Sequence, residues 1–440
     1  MGAKGFLLLA AVAATGCAQQ DPMQLLIQIR HKVADRMSHI PRYLCTETVD
    51  RTTLGPDIFD SRGKVESCAS LVAAQQNHKS KLKLITADRL RLDVAIIDKN
   101  ESYSWVGEDR FKDESLSELV RVGATSTGAF GSFLTAIFMS DSATYSYQGE
   151  SQRQGRRALD YAFAVPLWRS SYVVANQAVN RLTPYSGTFS VDAQTLDLLR
   201  LEIHADSLAP ELHMCELTTT LDYTQIRLNN LDFLLPSEAD SLVINTDGHE
   251  SLNRAVFGGC HQFMGESKLI FDDSATGNSP GSPAPAQSTK IPAGLALSIA
   301  LAESIDPAKD AAGDVVKGVL KKPLNLPASG VIVPKGTVLS GRICELLMLY
   351  GEDTTAMELG IQWESLELGG ATQPLDLSVE SAVVGTAKAD NVSASSHGRG
   401  FQSAETRIGY FLFSGVRKNY RVPAGFESVW VTLPASPISK

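Results

Sequence analysis

Gly187-Thr188-Phe189-Ser190-Val191-Asp192-Ala193-Gln194-Thr195 leads through Leu196 and Asp197 into Leu198-Leu199-Arg200-Leu201-Glu202-Ile203-His204-Ala205. Two β-prone runs flank Asp192–Thr195, a turn-forming quartet, so the stretch predicts a hairpin over 187–205. Further strands are predicted on either side of it. Arg89–Ile97 places Leu90, Leu92, Val94 and Ile96 on one face, the period of a half-buried strand. Tyr43–Arg51, Val65–Leu71, Ser102–Val106, Ala143–Glu150, Arg157–Val165, Ser171–Ala175, Cys215–Tyr223, Arg227–Leu231, Leu242–Asn245 and Ser267–Phe271 read as strands, with a turn within Gly107–Phe111. Helices are predicted at Pro22–His39, Leu116–Val122 and Gly128–Met139. In the first, Asp21 supplies a cap, Pro22 opens the first turn, Leu25, Leu26, Ile29, Val33 and Met37 share a face, and Pro41 stops it. The fold class expected is α+β, mainly β.

Asp272–Lys290 holds Pro, Gly, Ser and Ala with nothing large enough to pack a core, and reads as a linker. It separates 21–271 from 291–435. In the latter, short apolar runs alternate with Pro-Ala-Gly, Ala-Gly-Asp, Pro-Lys-Gly and Gly-Gly turns, the pattern of a small all-β barrel or sandwich. Ala387–Gly400 is polar and small, and is expected to be a loop within it.

The N-terminus decides the compartment. Phe6–Ala14 is an apolar run behind Lys4, far shorter than the roughly 20 residues of a spanning helix, so 1–18 reads as an export signal. Cleavage after Ala18 is one outcome; the other is lipidation of Cys17, since Ala14-Thr15-Gly16-Cys17 approximates a lipobox with Ala14 in place of the usual Leu or Val. No later run is long and apolar enough to span as a helix. The reading is therefore an exported protein, periplasmic or outer-membrane-associated, or released outside the cell. Forty Lys and Arg against 49 Asp and Glu, net −9, exclude the basic footprint of a nucleic-acid binder. An oxidising compartment lets cysteines persist as disulfides. Cys45 with Cys68 and Cys215 with Cys260 are the expected pairs, each flanking strand segments, with Cys344 left as a buried thiol.

No catalytic, cofactor or metal site emerges. His249, Cys260 and His261 lie close in sequence, but Cys260 is better used in a disulfide, and neighbours on a strand face opposite ways. His204 and His213 match no ligand spacing. Gly123–Gly131 is glycine-rich before a helix yet lacks the Lys-Ser/Thr of a phosphate loop, and Thr125, Ser126 or Thr127 as a helix cap accounts for it. Phe130, Phe133, Leu134, Ile137 and Phe138 crowd one short segment. Either they roof the sheet as core, or they line a cavity for a hydrophobic ligand.

Pro41–Thr48, Gly187–Asp192 with Leu198–Glu202, and Cys260-His261-Gln262-Phe263 with Glu266-Ser267 resemble a group of uncharacterised bacterial secreted proteins. The order of elements is similar to the curved half-barrel of periplasmic lipoprotein carriers and related sensor domains. That likeness implies a concave sheet face holding acyl chains under helices. Ile291–Gly294, Ala312–Asp314, Val333–Thr337 and Gly341–Ile343 resemble the C-terminal β-domain of conjugal-transfer TrbI-type proteins, which implies ring assembly behind a membrane-anchored part that this chain lacks. The leading expectation is non-enzymatic binding of a lipid or lipoprotein acyl chain, or of another envelope protein. A structural role carried by the second β-unit and an unrecognised hydrolase are the alternatives. Intact-mass measurement of protein from its native host should show an N-terminus at Gln19 or an acylated Cys17; retention of Met1 would refute export.

Overall fold

The computed structural model describes residues 21–56, 66–97, 100–108, 111, 116–120, 123–125, 131–176, 178–228, 231–262, 291–327, 330–397 and 407–434. The signal segment with Cys17, Phe130, the linker 272–290 and the expected strand Ser267–Phe271 lie outside them. Helix α1, Pro22–His39, begins where expected. The Asp21 carboxylate accepts the Met23 N–H at 3.0 Å, and Leu26, Ile29, Val33 and Met37 are buried.

Twelve strands follow before residue 263: β1 (Tyr43–Pro56), β2 (Leu82–Ile97), β3 (Asn100–Trp105), β4 (Thr144–Arg153), β5 (Arg156–Val165), β6 (Val173–Ala175), β7 (Asn180–Leu182), β8 (Tyr185–Asp192), β9 (Leu198–Ala205), β10 (Met214–Leu228), β11 (Leu231–Asn245) and β12 (Glu250–Gln262). Short β6 and β7 pair with each other alone. The other ten form one antiparallel sheet in the order β3-β2-β1-β12-β11-β10-β9-β8-β5-β4. No pairing is found between β3 and β4, so the sheet is an open half-barrel. The predicted hairpin is β8–β9, with the Asp192 carboxylate accepting the N–H groups of Gln194 and Thr195 in its turn.

The concave face is covered in two parts. Over β5, β8, β9 and β10 lie α1 and the segment Ser132–Leu134, which continues as a π-helical turn through Met139; their apolar side chains make one core. Over β1, β2, β3 and β12 sits a smaller core closed by Leu116 and Val120, at the short helix Leu116–Leu119.

The remaining strands are β13 (Ala296–Leu301), β14 (Val315–Leu320), β15 (Leu324–Leu326), β16 (Val331–Val333), β17 (Val338–Tyr350), β18 (Thr355–Leu368), β19 (Ala371–Pro374), β20 (Leu377–Ala382), β21 (Asn391–Ser395), β22 (Ile408–Val416) and β23 (Glu427–Thr432). Eight run in the order β20-β23-β13-β14-β17-β18-β22-β21, and β20 comes back against β21 to enclose a core around Trp363, Trp430, Phe411 and Phe413. This is the expected all-β architecture. It touches the half-barrel directly, because Leu347, Met348 and Leu349 of β17 pair with Asp88, Ala87 and Thr86 of β2. Gly313 packs on the same strand. A Cβ there would lie 2.0 Å from the Arg91 carbonyl oxygen, so only glycine fits.

Four expectations change. Val65–Leu71 is no strand: Cys68–Gln76 forms a helix, α2, capped by the Ser67 hydroxyl and built from good helix formers. Asn391–Ser395, inside the expected loop 387–400, pairs with β22 and buries Val392. Strand β12 was not foreseen, because Asn253 on its inward face and Glu250 on the opposite face are buried and polar and break the apolar pattern. The disulfides change with it. All four expected cysteines are bonded, but the pairs are Cys45–Cys260 and Cys68–Cys215. The β1–β12 register sets Leu44 against His261 and Thr46 against Gly258, which brings Cys260 to Cys45, while α2 packs on β10 and brings Cys68 to Cys215. Cys344 is in neither bond, and is partly exposed rather than buried.

These bonds link residues 215 and 147 positions apart. On the chain-entropy scale each stabilises by up to about 5 kcal/mol. Non-reducing peptide mapping should recover 45–260 and 68–215; recovery of 45–68 or 215–260 would contradict the β1–β12 pairing.

Candidate functional site

Inward positions of β1 alternate strictly: Tyr43, Cys45, Glu47, Val49 and Arg51 are all buried. Four of the five are easily explained. Tyr43, Cys45 and Val49 belong to the apolar core. Arg51 forms a two-point ion pair with Asp88 on β2, with Nε to Oδ1 at 2.9 Å. Glu47 is the exception. Leu92 lies opposite it on β2 and Phe257 on β12, both buried apolar residues. It is 7% exposed, and no hydrogen bond to its carboxyl is found among the described residues. Burial, assisted by the charge of Glu101, pushes its pKa up to about 8.

That carboxyl faces a narrow cleft with a free volume of about 20 Å³, room for about one water molecule and well below the roughly 300–1,000 Å³ of small-molecule sites. Its walls are Val49, Leu90, Leu92, Ala239 and Ala255, with Leu116 at one side. Arg51, Ser241 and Asn253 form a polar margin, and Ala124 and Thr125 a roof. Polar bonds hold the roof: Asn253 Nδ2 donates to the Ala124 carbonyl at 2.9 Å, and Arg51 Nη1 to the same oxygen at 3.4 Å. Gly123 lets the loop pass, with a φ of +83° and a position where a Cβ would meet Arg51 at 2.8 Å. Residues 126–130 of the glycine-rich stretch lie outside the described residues.

Toward the other end of the same face, the Tyr103 hydroxyl donates to Glu101 at 2.7 Å. Tyr223 is fully buried with its hydroxyl in no hydrogen bond, and burial raises its pKa far above the usual phenol range.

The predicted ligand-lining residues lie elsewhere. Phe133, Leu134, Ile137 and Phe138 are buried under α1 in the other core. Phe138 meets Phe189 edge-on at 4.9 Å, and Phe133 packs against Tyr172 at 5.5 Å. None of the four lines the cleft, and Phe130 lies outside the described residues. The histidines take structural places. His204 bridges Glu202 and Glu216, at 2.9 and 3.2 Å, and its hydrogen bonds to these carboxylates raise its pKa to about 10. His249 pairs with Asp247, and His261 bonds the Gly259 carbonyl. Among the described residues no cluster of metal-ligating side chains is present, and no helix is long and apolar enough to cross a membrane.

Glu47 escaped the sequence reading although its strand was recognised. The signal was a lone carboxylate in phase with Tyr43, Cys45 and Val49 on the inward face.

No family model and no curated protein matches the chain, so the likeness to the TrbI-type β-domain finds no counterpart there. Solved structures are similar over the half-barrel. An outer membrane lipoprotein-sorting protein domain from Vibrio parahaemolyticus is 10% identical with a TM-score of 0.28, over 55% of this chain and 94% of that one. A DUF1329 family protein from Desulfovibrio piger is 12% identical with a TM-score of 0.28, over 58% and 98%. A LolA superfamily protein from Nitrosomonas europaea is 11% identical with a TM-score of 0.25, over 56% and 98%.

A carboxyl whose pKa is higher folded than unfolded binds an extra proton in the native state, so stability falls as pH rises from about 4.5 and levels off above about 8. His204 acts in the same direction in a higher window: its contribution is full below about 6.5 and is lost as pH rises through about 10. Glu47→Gln should therefore flatten the lower slope alone and stabilise the protein at pH 7 by on the order of 3 kcal/mol. Urea melts of both forms at pH 5, 7 and 9 check this. Parallel curves would mean that Glu47 is ionised or paired in the native state.

Proposed function

We propose that this is an exported envelope protein whose half-barrel holds a hydrophobic ligand, the acyl chain of a lipid or lipoprotein, in the cleft on its concave face. One observation carries the reading: the two halves of the concave face are covered differently, and the cover over Glu47 is the one that can lift to make room for an acyl chain. Beside the tightly packed aromatic core under α1, the β1–β2–β11–β12 half keeps a cleft walled by aliphatic side chains and roofed by a loop. The roof is held to Arg51 and Asn253 by hydrogen bonds. Such a roof can lift at the cost of a few polar contacts that water replaces, whereas lifting α1 would expose a core. Two disulfides in one half of the chain fit an oxidising compartment outside the cytoplasm.

Filling the cleft tests the reading. Ala255→Trp or Ala239→Trp should cut binding of the neutral probe N-phenyl-1-naphthylamine at least about tenfold, with the overpacked chain still folded at a cost of about 1–3 kcal/mol. Phe138→Ala should do the reverse, costing about 3–5 kcal/mol of stability and leaving probe affinity in place. Probe binding that survives both tryptophans and is lost with Phe138 would move the site under α1.

A further inference from the structure

Nothing in the packing requires a carboxyl at Glu47. Its neighbours across the sheet, Leu92 and Phe257, are apolar, and it forms no hydrogen bond among the described residues, yet it is more than nine-tenths buried and lines the cleft. A buried polar group without a partner costs stability, and such groups in a native protein call for an explanation. The charged and titratable groups around it do not supply one. On β1, Arg51 is four residues away, roughly 13 Å along an extended strand, and is bound to Asp88 of β2. Tyr43 lies the same distance along β1 in the other direction. From β3 come Glu101 and the Tyr103 that donates to it, and from β10 comes Tyr223. The cleft walls from β11 and β12 offer Ser241, Asn253, Ala239 and Ala255, with no charge among them; the roof offers Ala124 and Thr125, and the described part of the short helix beside it offers Leu116. Among the described residues no cation faces Glu47, so the group stays a neutral acid in its cleft, and a neutral carboxylic acid is a hydrogen-bond donor.

We propose that the Glu47 carboxyl is the polar anchor of the cleft, donating its O–H to the carbonyl oxygen of an uncharged acyl ester and turning away fatty-acid carboxylates. This rests on the reading of the cleft as a hydrophobic-ligand site and adds the chemistry that would be selected there. The ester carbonyl gives the orphaned proton its acceptor, and the chain beyond it lies along Val49, Leu90 and Leu92. A carboxylate ligand would bring a second negative charge into an apolar cleft without a cation. It would otherwise have to enter protonated, which at pH 7 costs a group of ordinary carboxyl pKa two to three orders of magnitude in affinity.

The full mature chain, with both disulfides intact, is titrated with monopalmitoylglycerol and with palmitate by displacement of N-phenyl-1-naphthylamine between pH 6 and 9. The ester is expected to bind at least tenfold more tightly than palmitate at pH 7. Its affinity should fall about tenfold from pH 7 to pH 9 as the binding-competent acid form is depleted. Glu47→Gln keeps an uncharged donor, so it should retain ester binding and lose the pH dependence. Glu47→Leu should also be pH-independent, bind the probe at least as well as wild type, and hold the ester about three- to tenfold more weakly. Wild-type ester binding that does not change with pH, or palmitate binding equal to the ester's, would overturn the anchor while probe binding keeps the cleft. Failure of probe, ester and palmitate alike to bind any of the three forms would overturn both.

Discussion

The half-barrel depends on one pairing, β1 with β12. Strand β1 carries β2 and β3 on one side, and β12 leads through β11 to every remaining strand of the sheet. Without that ladder the chain would hold two separate sheets, each with exposed edges. The contact joins residues some two hundred positions apart, so its loop-closure cost is high and its formation slow. Cys45–Cys260 sits at the end of this ladder. There a covalent link offsets the closure entropy most, since a longer closed loop gives a larger constraint on the unfolded chain. Glu47 and Phe257 face each other two residues further along the same ladder, so the candidate site exists only once β1 and β12 have met.

The length of β2 carries the consequences outward. Its second half, Leu92–Ile97, pairs with β3, and its first half extends beyond β3 to meet β17. The C-terminal barrel thus completes an edge that would otherwise be open. Polar contacts surround the join. Arg91 binds Asp314, Arg89 pairs with Asp50 and donates to the Ala308 carbonyl at 2.9 Å, and Ala312 exchanges backbone hydrogen bonds with Arg89 and Arg91. Arg342 is the buried member of the group. It donates to the carbonyls of Val106 and Gly313, at 2.8 and 2.7 Å, with Glu108 and Glu364 alongside. Since Val106 directly follows β3, the barrel fixes the open end of the β2–β3 hairpin, whose Trp105 and Leu92 stand in the same cross-strand row as Glu47. The second unit is therefore part of the frame around the cleft, whatever else it does.

What was legible in the sequence follows the strength of local signals. Helix α1 announced itself by Asp21, Pro22 and an apolar stripe, and β8–β9 by the Asp192 turn, because all the information lies within a few residues. Strand β12 did not, since two of its buried residues are polar and face opposite ways: Asn253 holds the roof of the cleft, and Glu250, on the other face, accepts from Ser80. Missing that strand is what crossed the disulfides, because without β12 the nearest partner for each cysteine in sequence is also the most plausible one. The helix at Cys68–Gln76 was hidden by its brevity, an apolar run short enough to pass for a strand. Glu47 was hidden by its setting: a strand recognised by alternation is accepted as core, and a single carboxyl in phase with it passes as an exception.

The two halves of the concave face then differ in a way that bears on function. Under α1 the covering is aromatic and interlocked, with Phe138, Phe189, Tyr161 and Tyr185 in mutual ring contacts or one step removed. Opening it would expose large apolar area at about 25 cal/mol per Å². Over Glu47 the covering is a short loop tied by two side-chain hydrogen bonds to one carbonyl, each with a net worth of about 1 kcal/mol. Lifting the cover over Glu47, where the sheet surface is aliphatic, therefore costs less than lifting the one under α1. A fold built only for rigidity would reverse that arrangement, placing its interlocked rings over the long β1–β12 ladder and leaving no acid beneath. The asymmetry makes the half with the weaker cover the easier one to open.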